Sequence, residues 1–189
     1  MIQGEVMIEI KFKGRGGQGV VVASEILGRA FFTEGKFPQS FSLFGSERRG
    51  APVIGFLRVD EAPILLKCQI KRPDHLILFD LSLMEPEEVL QELKPNGILL
   101  INTDQEIDSF KLLRHYKIGL IDAGPIARGA GVEGALNTTM LGAYAALTHL
   151  VRKETLIEVV QGMISVKTES NIEALQEAYD KVRIYESLS

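Results

Sequence analysis

The sequence predicts an α/β fold: a mostly parallel sheet with helices on both faces and a helical C-terminal end. Three observations carry the prediction. A strand-like alternation near the N-terminus runs straight into a glycine cluster and then a helical stripe. Three later runs are short, continuously apolar and bounded by turn residues. From Leu136 onward the chain carries an alanine-rich segment and two amphipathic stripes.

In the first unit, Met7 to Lys13 places Ile8, Ile10 and Phe12 on one side, as a half-buried strand does. After the glycines, Val20, Ala23, Leu27, Ala30 and Phe31 fall on one helical stripe, and Gly35 closes it as a C-terminal cap. The runs His75 to Asp80, Gly97 to Asn102 and Lys117 to Asp122 have the pattern of strands covered on both faces, and are therefore read as parallel. Between the first two, Pro86 to Lys94 combines a first-turn proline, early glutamates and a late lysine, which suits a short helix with its dipole compensated. Val53 to Val59 is a further strand whose partner the alternation leaves open.

Leu136 to Arg152 reads as an alanine-rich helix. Leu156, Val159, Val160 and Met163 form a second helical stripe, and Ile172, Leu175, Tyr179 and Val182 a third. Thr155 with Glu158 and Ser170 with Glu173 have capping-box spacing and are read as the starts of these last two helices. No repeat, low-complexity tract or linker divides the chain, so one domain over residues 1–189 is expected.

Composition excludes several classes of function. The chain has 189 residues, 46% hydrophobic and 24% charged, with 21 basic and 25 acidic side chains for a net charge of −4. One cysteine excludes an internal disulfide, a cysteine-only iron–sulfur site and the paired-cysteine zinc sites. Slight acidity argues against nucleic-acid binding, which requires a basic face. No apolar run approaches the roughly 18 residues of a membrane span, and Glu5 and Glu9 sit inside the N-terminal apolar stretch, unlike a signal peptide. The expectation is a cytoplasmic protein with a reduced thiol and no membrane or nucleic-acid partner.

Gly14-Arg15-Gly16-Gly17-Gln18-Gly19 has the form G-x-G-x-x-G between a strand and a helix. There, glycines permit a tight turn and close backbone approach, and the amides at the helix start can hold a phosphate. Arg15 adds a charge and Gln18 an amide. The nicotinamide version needs an acid roughly 20 residues further on, where this chain reads Phe37-Pro38-Gln39-Ser40-Phe41-Ser42. A nicotinamide cofactor is disfavoured, and the lack of a lysine followed by serine or threonine excludes an ATP-hydrolysing phosphate loop. The plainer alternative is a turn needed only for chain reversal and helix packing.

A second polar cluster, Gly45-Ser46-Glu47-Arg48-Arg49-Gly50-Ala51-Pro52, follows Phe41, Leu43 and Phe44. Adjacent arginines can clamp a carboxylate or phosphate, or serve an interface rich in arginine and phenylalanine; otherwise the loop is simply solvated. Asp80, Asp104 and Asp122 end three of the expected strands, at the edge where open α/β sheets bind ligands, though capping the next turn is the simpler role for each. His75, His115, His149 and Cys68 form no metal-like set. No nucleophile, metal or acid–base constellation is visible, so no catalytic residue is assigned to this chain.

Taken in order, GRGGQG at Gly14 to Gly19, QSF at Gln39 to Phe41, FGSERRGAPV at Phe44 to Val53, Pro73-Asp74 through Asp80, Ile101-Asn102, Asn137-x-x-Met140-Leu141-Gly142 and Lys167 to Asn171 resemble the gamma subunit of 2-oxoacid:ferredoxin oxidoreductases, over nearly the whole chain. The arginine between the first glycines and the ERRGAPV segment are most similar to the pyruvate and branched-chain 2-oxoacid members. The resemblance implies a Rossmann-like domain packed against alpha, beta and delta-type subunits. It also implies a cytoplasmic enzyme that converts a 2-oxoacid and coenzyme A to acyl-CoA and CO2 while reducing ferredoxin. Thiamine diphosphate, magnesium and the iron–sulfur clusters would sit on partner subunits. This chain would serve the coenzyme A site or its interface through Gly14, Arg15, Gly16, Gly17, Gln18, Gly19, Arg48 and Arg49. A stand-alone nucleotide-binding module and a purely structural subunit remain the other readings.

Overall fold

The computed structural model describes residues 7–44, 50–134 and 136–188. Strand β1 (Ile8–Arg15) leads through the glycine turn into helix α1 (Val20–Thr33). The chain continues as β2 (Phe37–Phe44), β3 (Pro52–Asp60), β4 (His75–Leu78), α2 (Pro86–Glu92), β5 (Ile98–Asn102), β6 (Lys117–Ile121), α3 (Ala123–Gly129), α4 (Asn137–Thr148), α5 (Lys153–Met163), α6 (Thr168–Lys181) and β7 (Arg183–Tyr185). Two 3-10 segments, Leu81–Leu83 and Ile107–Leu113, complete the regular structure.

The strands form one sheet in the order β2-β3-β1-β4-β5-β6-β7. β1, β4, β5 and β6 are parallel neighbours, as their apolar runs predict. The strand left without a partner, β3, lies between β1 and β2 and is antiparallel to both; β7 is antiparallel to β6. Only β3 and β7 run against the rest. The nicotinamide criterion therefore has no counterpart in space, because the second strand is separated from β1 by β3 rather than lying beside it.

The two faces are covered unequally. On one, Ile10 and Phe12 of β1, Leu57 of β3, Ile77 of β4 and Leu100 of β5 pack beneath α1 and α3–α6. On the other, Leu76, Leu78, Leu99, Ile101, Ile118 and Leu120 are closed by Val89 and Leu93 from the α2 region and by Phe110 and Leu113 of the second 3-10 segment.

Helix α4 is buried from Asn137 to Leu147, and its lack of a polar stripe follows from that. Its Gly142 meets the backbone carbonyl of Leu175 in α6 where a Cβ would stand, so only glycine permits this approach. Tyr144 hydrogen-bonds His75 Nδ1 at 2.8 Å across the core, and Thr138 donates to Asn171 of α6 at 3.0 Å.

The two capping boxes are not formed. α5 begins at Lys153 with Arg152 at its N-cap, and α6 at Thr168 with Lys167 at its N-cap, so Thr155 and Ser170 lie inside the first turns. Thr155 is buried and its hydroxyl bonds Glu34 instead: a tertiary acceptor at the end of α1 takes the group that local spacing assigns to a cap. Among the described residues no helix is long and apolar enough to cross a membrane.

Burial pushes His75 down to about 4; nearby Asp74 opposes the shift and Lys94 adds to it. An unfolded histidine takes a proton near pH 6.5, whereas the folded ring resists until about 4. Stability is therefore whole above pH 6.5 and falls as the pH drops from there towards 4, by on the order of 3 kcal/mol. Urea unfolding of the full chain across that range checks this; His75→Gln, which keeps a polar partner for Tyr144, should be less stable at neutral pH and show a shallower slope.

Candidate functional site

The glycine turn lies where β1 ends beside β3 and β4. Gly14 is still in the strand. A Cβ there would stand 2.5 Å from Val20 Cγ2 and 2.8 Å from Phe79 Cβ, so glycine is required for α1 and the end of β4 to close over it. Gly17 and Gly19 adopt φ of 100° and 80°, the left-handed region that favours glycine. Gly19 is the N-cap of α1 and supplies no side-chain cap; Ala23 is the first amide to bond back, to the Gly19 carbonyl at 2.8 Å. The amides of the first turn, from Val20, thus have the open donors of any helix start, and no acid sits among them.

A second helix start meets the first. Leu136 N donates to the Gln18 carbonyl at 3.2 Å, and a Cβ on Gly19 would lie 3.0 Å from the Asn137 side chain. α4 also has no acid in its first turn and no side-chain cap. Two positive dipole ends therefore converge at Gly19, each equivalent to roughly half an elementary charge. Asn137 is 6% exposed, and its Oδ1 is buried without a hydrogen-bond partner among the described residues.

Arg15 is held by protein groups. Its Nε donates to Asp80 at 3.0 Å, one terminal nitrogen to the Gly50 carbonyl at 3.1 Å and the other to Ser82 Oγ at 2.7 Å. Gln18 ties the turn to itself and to β4: its Oε1 accepts from Arg15 N at 2.7 Å, and its Nε2 lies 3.4 Å from Asp80. Gly16 N donates to Ala51 O at 2.9 Å, which joins the turn to the start of β3. Arg48 and Arg49 lie outside the described residues, but Gly50, next in sequence, also donates to Gly16 O at 3.3 Å.

The three strand-end aspartates separate. Asp80 caps the first 3-10 segment, accepting from Ser82 N at 3.0 Å, and joins the turn through Arg15. Burial raises its carboxyl, but the bonds from Ser82 and the charge of Arg15 more than offset this and hold it below the ordinary aspartate value. Asp104 and Asp122 instead line a cavity of about 330 Å³ with Lys181 and Arg183, at the β6 end of the sheet. Asn102 works between them, donating to Phe79 O and accepting from Ala123 N, each at 2.9 Å, which fixes the ends of β4 and β5 to the start of α3. The capping preference of aspartate was legible from residue type; the Arg15 pairing and the Asn102 bracket join groups 65 and 21 residues apart, beyond any local pattern. Among the described residues no cluster of three or more His, Cys, Asp or Glu side chains is placed to hold a metal.

A parallel-core α/β sheet with a glycine turn opening into a helix defines the class: the glycine-turn α/β domains. Residues 9–181 match the family described as pyruvate ferredoxin/flavodoxin oxidoreductase. Similar relatives include the pyruvate/ketoisovalerate oxidoreductases common subunit gamma of Pyrococcus abyssi, 44% identical over 95% of this chain and 100% of that protein. The pyruvate synthase subunit PorC of Methanothermobacter marburgensis is 42% identical over 94% of this chain and 98% of its own length. The crystal structure of the pyruvate oxidoreductase subunit PORC from Thermotoga maritima superposes with a TM-score of 0.84 at 31% identity, covering 96% of this chain and all of that one. The chain belongs to the pyruvate ferredoxin/flavodoxin oxidoreductase family, and within it to the gamma-subunit type. It is one subunit of a multisubunit 2-oxoacid oxidoreductase.

Asp80→Asn should lower stability at pH 7 by about 1 kcal/mol, the scale of a partly exposed ion pair. Because the native carboxyl is more acidic than the unfolded one, its contribution is present above about pH 3.9 and lost as the pH falls below that value. The difference between wild type and variant in urea unfolding should therefore narrow on acidification.

Proposed function

We propose that this subunit holds the phosphate-bearing end of coenzyme A while partner subunits oxidatively decarboxylate a 2-oxoacid, pyruvate foremost, and pass electrons to ferredoxin in the cytoplasm. The observation that carries the reading is the convergence of two uncompensated helix starts at Gly19, an arrangement suited to an anion. Gly14, Gly16, Gly17 and Gly19 supply the backbone shape, and Gln18 the amide. With its donors bound to Asp80, Ser82 and Gly50, Arg15 shapes the turn; Arg48 and Arg49 supply the planar forks for phosphate.

The relative in Pyrococcus abyssi is described as a subunit common to pyruvate and ketoisovalerate oxidoreductases. A shared subunit is suited to what the two reactions have in common, coenzyme A, and not to choosing between their 2-oxoacids. With one cysteine, this chain cannot by itself supply the four thiolates of a cluster. Thiamine diphosphate, magnesium and the iron–sulfur clusters are accordingly assigned to alpha, beta and delta-type partners. In this division of labour the chain's own groups bind and orient coenzyme A, and the bond-breaking steps occur on the partners.

Anaerobic purification of the native assembly, followed by coenzyme A-dependent viologen reduction with pyruvate, 2-oxoglutarate and 2-oxoisovalerate, tests the activity. Pyruvate should give the highest rate, and a colourless monomer without activity would overturn the reading. In the assembled enzyme, Arg48→Ala with Arg49→Ala should raise the KM for coenzyme A roughly 10- to 100-fold, the loss expected for charged hydrogen bonds, with the KM for pyruvate unchanged. Dissociation of the complex at unchanged coenzyme A affinity would instead support the purely structural reading.

A further inference from the structure

The face of the sheet that carries α2 is covered only in part. Over β4, β5 and β6 it is closed by α2 and the second 3-10 segment. Over β2 and β3 the packed helix is α1, which lies on the opposite face. The cross-strand rows on this side pair Phe41 with Phe56 and Leu43 with Ile54. Phe41 and Phe56 stack with ring centroids 4.9 Å apart, so Phe56 is buried while Phe41 and Ile54 are half-buried and Leu43 is exposed.

The connection from β3 to β4 borders this area. Its backbone is irregular from Ala62 to Pro73, yet it is tied down from beneath. Arg58, 1% exposed, donates to Cys68 O at 2.8 Å, to Gln39 at 3.1 Å and to Glu9 at 3.0 Å. Its guanidinium also sits 5.5 Å from the Phe41 ring centre. Ile70 is buried as a second anchor. Between these anchors and β3, Ile64 is half-buried, but Leu65 is 88% exposed and Leu66 is 46% exposed.

The same connection holds Lys67, Lys71 and Arg72 and no carboxylate, in a chain of net charge −4. All three cations are exposed. By contrast, Lys11 and Lys13 on the neighbouring strand are paired with Glu92. An anchored loop that exposes leucine beside cations without an ion pair among the described residues has little freedom left to lose on binding, and leucine in water is favourable to cover.

Taking the chain as a subunit of a multisubunit enzyme, we infer that the Ala62–Pro73 connection, with the uncovered Phe41, Leu43 and Ile54 beside it, is a docking surface for another subunit of the same oxidoreductase. That subunit presents an apolar groove rimmed by carboxylates. A second copy of this chain does not fit: a twofold contact through this surface would set Lys67, Lys71 and Arg72 against their own equivalents.

The test uses the co-expressed complex, with native mass spectrometry to count this subunit and circular dichroism to follow its melting. Leu65→Asp with Leu66→Asp should leave the melting temperature of the isolated chain within a few degrees of wild type, since both side chains face water, and should reduce its incorporation at least tenfold. Lys67→Glu with Lys71→Glu should weaken incorporation more at low salt than at high salt. Incorporation of both variants at wild-type stoichiometry would overturn the inference while leaving the subunit assignment standing. So would a wild-type homodimer broken by Leu65→Asp. If the wild-type chain enters no complex under the same conditions, the subunit reading fails as well.

Discussion

The burial of α4 on every side is the constraint on which the rest of this structure depends. A helix with no polar stripe has no stable place at the surface, so α1, α5 and α6 enclose it against the parallel strands. Enclosure at this density needs small residues where backbones meet, and Gly142 against the Leu175 carbonyl is the tightest such point. Among the polar groups taken inside, Tyr144 pairs with His75 and Thr138 with Asn171, while Asn137 Oδ1 and Thr139 Oγ1 have no hydrogen-bond partner among the described residues. Buried polar groups without partners cost roughly 1–3 kcal/mol each, so these bonds fix the depth and rotation of the helix as well as stabilising it. Once α4 is fixed, its start at Asn137 has one position available, beside Gly19. The packing of the core thus brings the two helix starts together at the glycine turn.

That placement gives the site its electrostatic character. Arg15 and Asp80 neutralise one another, and the field left at Gly19 is that of two dipole ends. The pairing also explains why the only charged residue inside the glycine motif is not its free cation. Asp80 stands at the end of β4, the parallel neighbour of β1, so the parallel register itself delivers a carboxylate to the arginine. The other sheet face follows a different logic. Lys11, Lys13, Glu92, Arg58, Glu9, Lys94 and Asp74 form paired charges across it, and its helical cover stops before β3. The larger core therefore lies on the face that holds α4, and the smaller one beneath α2 and the second 3-10 segment.

The local reading succeeded where period and punctuation were strong. β1, the glycine turn, α1 and the Gly35 stop, and the three apolar strands, are all present, with boundaries shifted by a residue or two. It failed where a residue had both a local and a distant use. Thr155 and Ser170 have capping-box spacing, yet α5 and α6 start earlier, and Thr155 serves Glu34 across the interface with α1. The 3-10 segments, the short α3 and the three-residue β7 carry too few residues to show a period at all.

By itself the sequence determined the α/β class, the parallel core strands, the glycine turn and its helix, because each rests on contacts between residues near in the chain or on a continuous apolar run. Tertiary structure alone decided that β3 separates β2 from β1, that Arg15 pairs with Asp80 rather than standing free, that Asn137 joins the turn, and that among the described residues the helical cover of one sheet face stops before β3. Those outcomes follow from which strands lie side by side and which helix fills the core. They are set by packing and pairing among groups distant in sequence, whose separations leave no periodic trace along the chain.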